Sequence, residues 1–446
     1  MATLRYVNDL GNGHSGYINY GSGIPVSTIS GQSLNVSTAS GDSVSIQPAG
    51  VAGDAFGRLR ISEPFTLFDS SHRFSVNGNW YSSTAVSGAV TFNSDQGLVD
   101  LDVVTTSGSR VYRETNRVFP YQPGKSLLCM ASFVMAPEQD NLRQRVGYFG
   151  TNNGVYLEVS GSSVSIVKRS FVSGTVSNAT IPKASWNGDK LDGNGESKVT
   201  LDLSKAQIFW SDFEWLGVGR VRSGFVINGQ FIICHTFDHA NQIDSTYITT
   251  ANLPVRYEIE ALDTLSSGTT MKEICASVIS EGGYLVRGQS RSVGTAITSP
   301  YTFTTSGINY PMVSLRLKTS PDRLDGVVIP NAVSFVGDGN NAFFNWKVVT
   351  GGTTSGGTWT TTNSGSCVDY NINGTSISGG TVLAQGYASA SNQSSSSLDL
   401  TTDDLFKYQL QRNPFTSTPI ELTFVVSAAN GGDTGYASID WEEITT

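Results

Sequence analysis

Charge is scarce in this chain. Of its 446 residues 15% are charged, and 37 acidic side chains outnumber 28 basic ones, for a formal net charge of −9. No stretch gathers lysine and arginine into a basic face, which argues against direct nucleic-acid binding, since such binding rests on phosphate neutralisation. Long apolar runs are missing too. Spanning a bilayer takes about 20 apolar residues, and the opening "MATLRYVNDLGNG" carries no apolar signal core. These absences predict synthesis in a cytoplasm, no export by a signal peptide and no membrane insertion.

Cysteine and histidine are sparse, four of each. Cys129, Cys234, Cys275 and Cys367 lie far apart and none forms C-x-x-C. Most stand in apolar runs such as "SLLCMASFVM" and "FIICHTF", which predicts reduced thiols held in the interior as small hydrophobes. The Ala, Glu, Lys and Leu richness of long-helix proteins is also absent. In its place are 48 glycines, abundant serine and threonine, and strand-forming valine and phenylalanine. Tight turns between strands use that composition, so the class is all-β.

Three regions follow. Residues 1–52 alternate small polar and β-branched residues with few large apolar ones, as in "GQSLNVSTASGDSVSIQ". Such a segment cannot bury a core of its own, and reads as an extended N-terminal arm that becomes ordered against a neighbour. From 53 to 290 strand signals are dense. In "NGVYLEVSGSSVSIVKRS", Val155, Leu157 and Val159 share a face and the chain turns at Gly161 before Val164 and Ile166. "SGFVINGQFIICHTF" predicts a hairpin with a type I′ turn at Asn228-Gly229, and its strands, apolar on both faces, are placed near a sheet centre. "APEQDNLRQRV" is the one segment that suits a helical turn or two. From 291 to 446 a second β unit follows, with a hairpin turn at Asp338-Gly339 and a closing strand in "GYASIDWEEI". The architecture expected is tandem β-sandwich or jelly-roll domains behind an arm.

Four groups of residues invite a chemical reading. Asp69, Ser70 and His72 in "FDSSHRF" have triad chemistry, but strand neighbours alternate faces and triads are assembled from distant segments. "HTFDH" brings His235, Asp238 and His239 together, yet on a strand running into a loop the two rings do not align on one metal. "GVGRVRSG" has Arg222 where a dinucleotide motif needs its third glycine, and "PGKS" has Phe119 where a P-loop needs its first. In "IFWSDFEWLGVG", Asp212 and Glu214 share a strand face like a glycosidase carboxylate pair. One jelly-roll glycosidase family carries E-x-D-x-E there, and Trp210 occupies the nucleophile's place. No catalytic residue, metal or cofactor is implied.

The segments "GDAFGRLRISEPFTLFDSSHRF", "LDLSKAQIFWSDFEWLGVGRVRSGFVINGQFIICHTFDHAN" and "YITTANLPVRYEI" resemble virion structural proteins of tailed bacteriophages, notably phages of marine bacteria and cyanobacteria. The middle region is also similar to concanavalin-type lectin sandwiches, a likeness that does not carry sugar binding with it. The resemblance implies a non-enzymatic structural component of a virion, part of a head or tail surface appendage. Its partners would be other virion proteins and its own copies, as a trimer. A host-surface glycan-binding protein and a polysaccharide depolymerase are the alternatives. Exposed indoles in the loops around Trp186 and Trp359 would favour glycan binding; buried ones favour a scaffold. "GRLRISEPF" is expected to set Arg58 and Arg60 on one strand face and, past Pro64, to send Phe65, Leu67 and Phe68 into a core or interface. In this reading it joins arm to sandwich.

Overall fold

Alternating apolar and polar residues build strands throughout, and a 3-10 turn at Lys183–Ser185 is the one helical element among the described residues. The computed structural model describes residues 63–445 apart from 286, 339–340, 392–393, 396–397 and 401–407. The expected arm and the residues through Arg58 and Arg60 lie outside them. By contacts the chain divides into Met1–Ile61 and Ser62–Thr446.

The first sandwich starts with β1 (Phe65–Ser71), β2 (Trp80–Ala85), β3 (Ala89–Asn93), β4 (Leu98–Val103) and β5 (Arg110–Thr115). It continues with β6 (Leu127–Val134), β7 (Leu142–Phe149), β8 (Gly154–Ser160), β9 (Ser163–Ser170) and β10 (Ser177–Pro182). It closes with β11 (Gln207–Phe213), β12 (Val221–Ile227), β13 (Gln230–Phe237), β14 (Val255–Ala261) and β15 (Thr269–Ser280). One sheet runs β13-β12-β11-β6-β15-β4-β3, with β1 beside β15; the other runs β10-β9-β8-β7-β14-β5-β2. Their inner faces enclose one core, to which Val155, Leu157, Val159 and Ile166 contribute as the alternation predicts. Each such side chain contributes about 1.5–3 kcal/mol by leaving water. Past Pro64, Phe68 enters this core and Leu67 packs on it. Phe65 instead stays partly exposed and stacks on Tyr284.

A second sandwich has its own core, from Phe303 to Trp441. One sheet orders Gln289–Gly294, Thr434–Thr445, Val327–Asp338 and Leu398–Leu400. The facing sheet orders Thr360–Thr361, Val368–Asn371, Tyr310–Leu317, Leu422–Ala428, Ala342–Thr350, Thr381–Ser391 and Ser394–Ser395. The closing strand predicted in "GYASIDWEEI" is present.

Several local expectations change. The Asn228-Gly229 turn forms with φ of +51° and +77°, as type I′ requires, but β13 is the edge strand of its sheet. Its edge is capped instead by a loop, through Gly188 N–H to Cys234 O and Asp189 N–H to Ile233 O, each 2.9 Å. Among the described residues no layer covers its outer apolar side chains Phe231 and Ile233. Gly339 of the expected Asp338-Gly339 hairpin turn lies outside the described residues; the strands on either side, Val327–Asp338 and Ala342–Thr350, belong to different sheets and do not pair. "APEQDNLRQRV" forms no helical turn. Its second half is β7, anchored where the Gln144 amide bonds both backbone groups of Ala136. None of the cysteines is in a disulfide; Cys129, Cys234 and Cys367 are buried, and Cys275 is exposed because it lies on the outer face of β15.

Candidate functional site

Phe209 and Phe213 of β11 point into the core, so Trp210, Asp212 and the following Glu214 fall on the outer face. A cleft of about 340 Å³ opens there between Tyr121, Gly124, Lys125, Ser126, Asp212, Glu214, Leu216, Arg220 and Arg222. A neighbouring cavity of about 510 Å³ shares Glu214, Leu216 and Arg220 and reaches Asp238 and His239. Asp212 and Glu214 thus face one cleft, as the spacing predicts.

Their partners are internal. Register places Asp212 opposite Arg222, whose Nε donates to Oδ1 at 3.0 Å while Nη2 engages Oδ2. Such a two-pronged clamp occupies both carboxylate oxygens. Glu214 accepts from the Arg220 amide at 3.4 Å, and the Arg220 guanidinium pairs with Asp238 at 2.6 Å. Trp210, in the nucleophile's place, is buried edge-on against Phe231, ring centres 5.3 Å apart.

His235, Asp238 and His239 do not converge. His239 Nδ1–H donates to Gly219 O at 2.6 Å, which leaves Nε2 to accept from the Lys168 ammonium at 2.7 Å. The ring stacks on Tyr247 at 4.0 Å, and Lys168 sits over the rings of Phe237 and Tyr247. Burial lowers the His239 pKa and the Lys168 charge adds to this, while the bond to Gly219 opposes both. His235 uses Nδ1 to accept the Asn187 amide at 3.3 Å, and burial and Lys168 lower its pKa as well. Both are neutral packing groups. Among the described residues no three His, Cys, Asp or Glu side chains could hold a metal ion.

The Asp69-Ser70-His72 cluster splits across the strand. Asp69 faces outward, whereas Ser70 and His72 turn in. Ser70 Oγ accepts the Trp80 indole N–H at 2.8 Å. His72 accepts the Asn77 amide at Nδ1 (3.1 Å) and donates from Nε2 to Glu273 at 3.0 Å, so its partner is a carboxylate from β15. Arg113 binds the same carboxylate. Burial alone would raise the Glu273 pKa, but Arg113 and His72 outweigh it and hold the carboxyl below its ordinary range. Of the two loop indoles, Trp186 lies in the core, donating to Ile181 O at 3.1 Å. Trp359 is half-buried, with the Arg316 guanidinium 4.0 Å from its ring centre.

One feature escaped the sequence reading. A row of alternating charges crosses the outer face of the β5-β14-β7-β8 strands: Glu114, Arg256, Glu258, Arg145 and Glu158. At its end Arg412, from the second sandwich, donates to Glu114 at 2.8 Å and to Asp325 at 2.7 Å. The Arg412 amide also donates to Asn116 O at 2.9 Å, and Gln409 to Val118 O at 3.0 Å. Phe415 covers Arg256. The two sandwiches are therefore stapled through buried charges. The available signal was the opposite-charge alternation of "VRYEIE" against "LRQRV".

No protein-family model and no curated protein matches the chain. Among solved structures, the carbohydrate recognition domain of Emp47p aligns with 51% of this chain and 99% of its own, at 9% identity and a TM-score of 0.31. Peanut lectin aligns with 49% of this chain and 98% of its own, at 14% identity and a TM-score of 0.30. A putative β-glucanase from Mycobacterium abscessus aligns with 48% of this chain and 100% of its own, at 11% identity and a TM-score of 0.33. Each is a likeness of fold over about half of the chain.

Proposed function

We propose that the chain is a non-enzymatic structural component of a tailed-phage virion, part of a head or tail surface appendage. It is held with other virion proteins and with its own copies, in a trimer as the simplest arrangement. The observation that carries this reading is where the reactive-looking side chains are spent. Arg222 clamps Asp212, His239 is stacked and doubly bonded, His72 and Glu273 are sealed, and Arg412 staples two sandwiches into one body. Groups fixed in mutual ion pairs stiffen a scaffold and are not free to act as acid, base or nucleophile. The buried indole of Trp186 fits the same reading. Antibody labelling and a density map of purified particles test it: the protein should occupy symmetric surface positions. Purified particles without it would overturn the proposal.

A second reading has its own support. The two adjoining cavities around Glu214 and Arg220 are open, carry charged side chains beside apolar wall, and are of a size to take a sugar ring or two. On this reading the appendage also touches host-surface glycan. Binding of host polysaccharide that is lost in Arg220→Ala, without release of reducing ends, is its expected signature.

A further inference from the structure

The strand Thr381–Ser391 reads TVLAQGYASAS, eleven residues without a charge or a proline. One edge pairs with Ala342–Thr350 from Thr381↔Thr350 to Ala390↔Ala342. Among the described residues the other edge pairs only at its far end, Ala390↔Ser395 and Ser391↔Ser394. Thr381 to Tyr387 thus offers roughly 20 Å of open strand edge, at about 3.3 Å per residue. Natural sheets guard such edges with lysine, proline, a bulge or a covering loop. Three other edges in this chain carry such guards: a loop caps β13, Pro182 ends β10, and Arg291 stands in the edge strand Gln289–Gly294. Here, among the described residues, one register shift beside Val348/Val349 is the sole guard. Apolar side chains cluster at the same place: Tyr387 is 83% exposed, Phe343 63%, Val382 45% and Leu383 43%. Phe343 and Tyr387 sit diagonally across the two strands, because Asn345 opposes Tyr387 and Phe343 opposes Ser389.

We propose that this edge pairs antiparallel with the same edge of a second copy, about a two-fold axis at Gln385. The contact would join two seven-stranded sheets across the axis. A second copy is the occupant because the strand suits itself. Self-pairing about a two-fold brings like residues face to face, and like charges there are the usual obstacle. This strand carries none. The register sets Leu383 of one copy against Tyr387 of the other, an apolar pair that covers the most exposed ring of the patch. The contact does not depend on the virion reading. A two-fold contact closes with two copies, so a trimer would use other surfaces and the two contacts together would link rings in pairs.

The test uses the full chain. Antiparallel partners have Cα atoms about 4.5–5.5 Å apart, inside the ~4.4–6.8 Å range of a disulfide. Gln385→Cys, made with Cys275→Ser to remove the exposed native thiol, should therefore cross-link to a reducible dimer on mild oxidation. Gln385 is exposed, so its substitutions leave the fold intact, which the melting curve verifies. By light scattering the unmodified protein should have a mass that is an even multiple of the protomer, and Gln385→Lys should halve it. An equimolar mixture of Gln385→Lys and Gln385→Glu chains should restore it. No cross-link from Gln385→Cys, or a mass unchanged by Gln385→Lys, overturns the proposal.

Discussion

Replacing Arg412 by methionine tests the staple between the sandwiches. The guanidinium is almost fully buried and reaches Glu114, Asp325 and Thr115 O. Asp325 is more than half exposed and rehydrates when its partner leaves, so that arm contributes little. Glu114 cannot rehydrate. Its carboxylate would keep only Arg256, and burial already raises its pKa against the pull of both arginines. Removing one partner of a buried charge pair costs about 3–5 kcal/mol; with Arg256 retained, the lower end, ~3 kcal/mol, is expected near pH 7. The sign of the pH dependence follows. Without Arg412 the Glu114 pKa rises further, so a proton relieves the uncompensated charge and the deficit shrinks as pH falls toward 5. Adding Glu114→Gln should recover part of the loss at pH 7. Urea titration of the full chain, followed by tryptophan fluorescence, reads all three quantities. A deficit below ~1 kcal/mol at pH 7, or one identical at pH 7 and pH 5, would refute the staple.

The two lowered histidines predict acid sensitivity: unfolded imidazoles take up protons near pH 6.5 and the folded ones only below it. Stability is therefore complete above pH 6.5 and falls as pH drops through the folded values, by up to ~1.4 kcal/mol per pH unit for each histidine. His239→Asn should flatten that slope in urea titrations from pH 5 to 7.5, and an unchanged slope counts against the assignment. Thiol reagent should modify Cys275 alone in the native protein and all four cysteines in denaturant, since burial pushes Cys234 up to about 12 and Cys367 to about 11. Host polysaccharide incubated with the protein should release no reducing ends; release abolished by Glu214→Gln would establish a hydrolase.

Fold class was legible because strand alternation is local: Val155, Leu157 and Val159 announce their shared face without help from distant residues. The Asn228-Gly229 turn was legible for the same reason, since two consecutive positive φ values need these residue types. What surrounds a strand is not local. β13 looks central because it is apolar on both faces, yet the loop Gly188–Asp189 rather than a strand closes its edge. In the sequence Asp338-Gly339 is a turn signal in either case, and only the pairing of the strands beside it decides between a hairpin and a crossing to the other sheet. At the candidate cleft, the spacing of Asp212 and Glu214 predicted a shared face, and the absent nucleophile at Trp210 was visible at once. The clamp by Arg222 depends on register between β11 and β12, and the staple depends on a residue almost 300 positions from Glu114. Neither was readable from neighbours.

The strand Thr434–Thr445 lies between Gln289–Gly294 and Val327–Asp338 and carries Trp441, fully buried in the core. A ribosome makes it after every strand it joins. Until residue 445 has emerged, both neighbours keep an unfilled slot between them, and the second sandwich has no centre to its sheet. Chains cut short by a nonsense codon or a protease are thereby excluded from anything that recognises the finished surface, and their open edges mark them for removal.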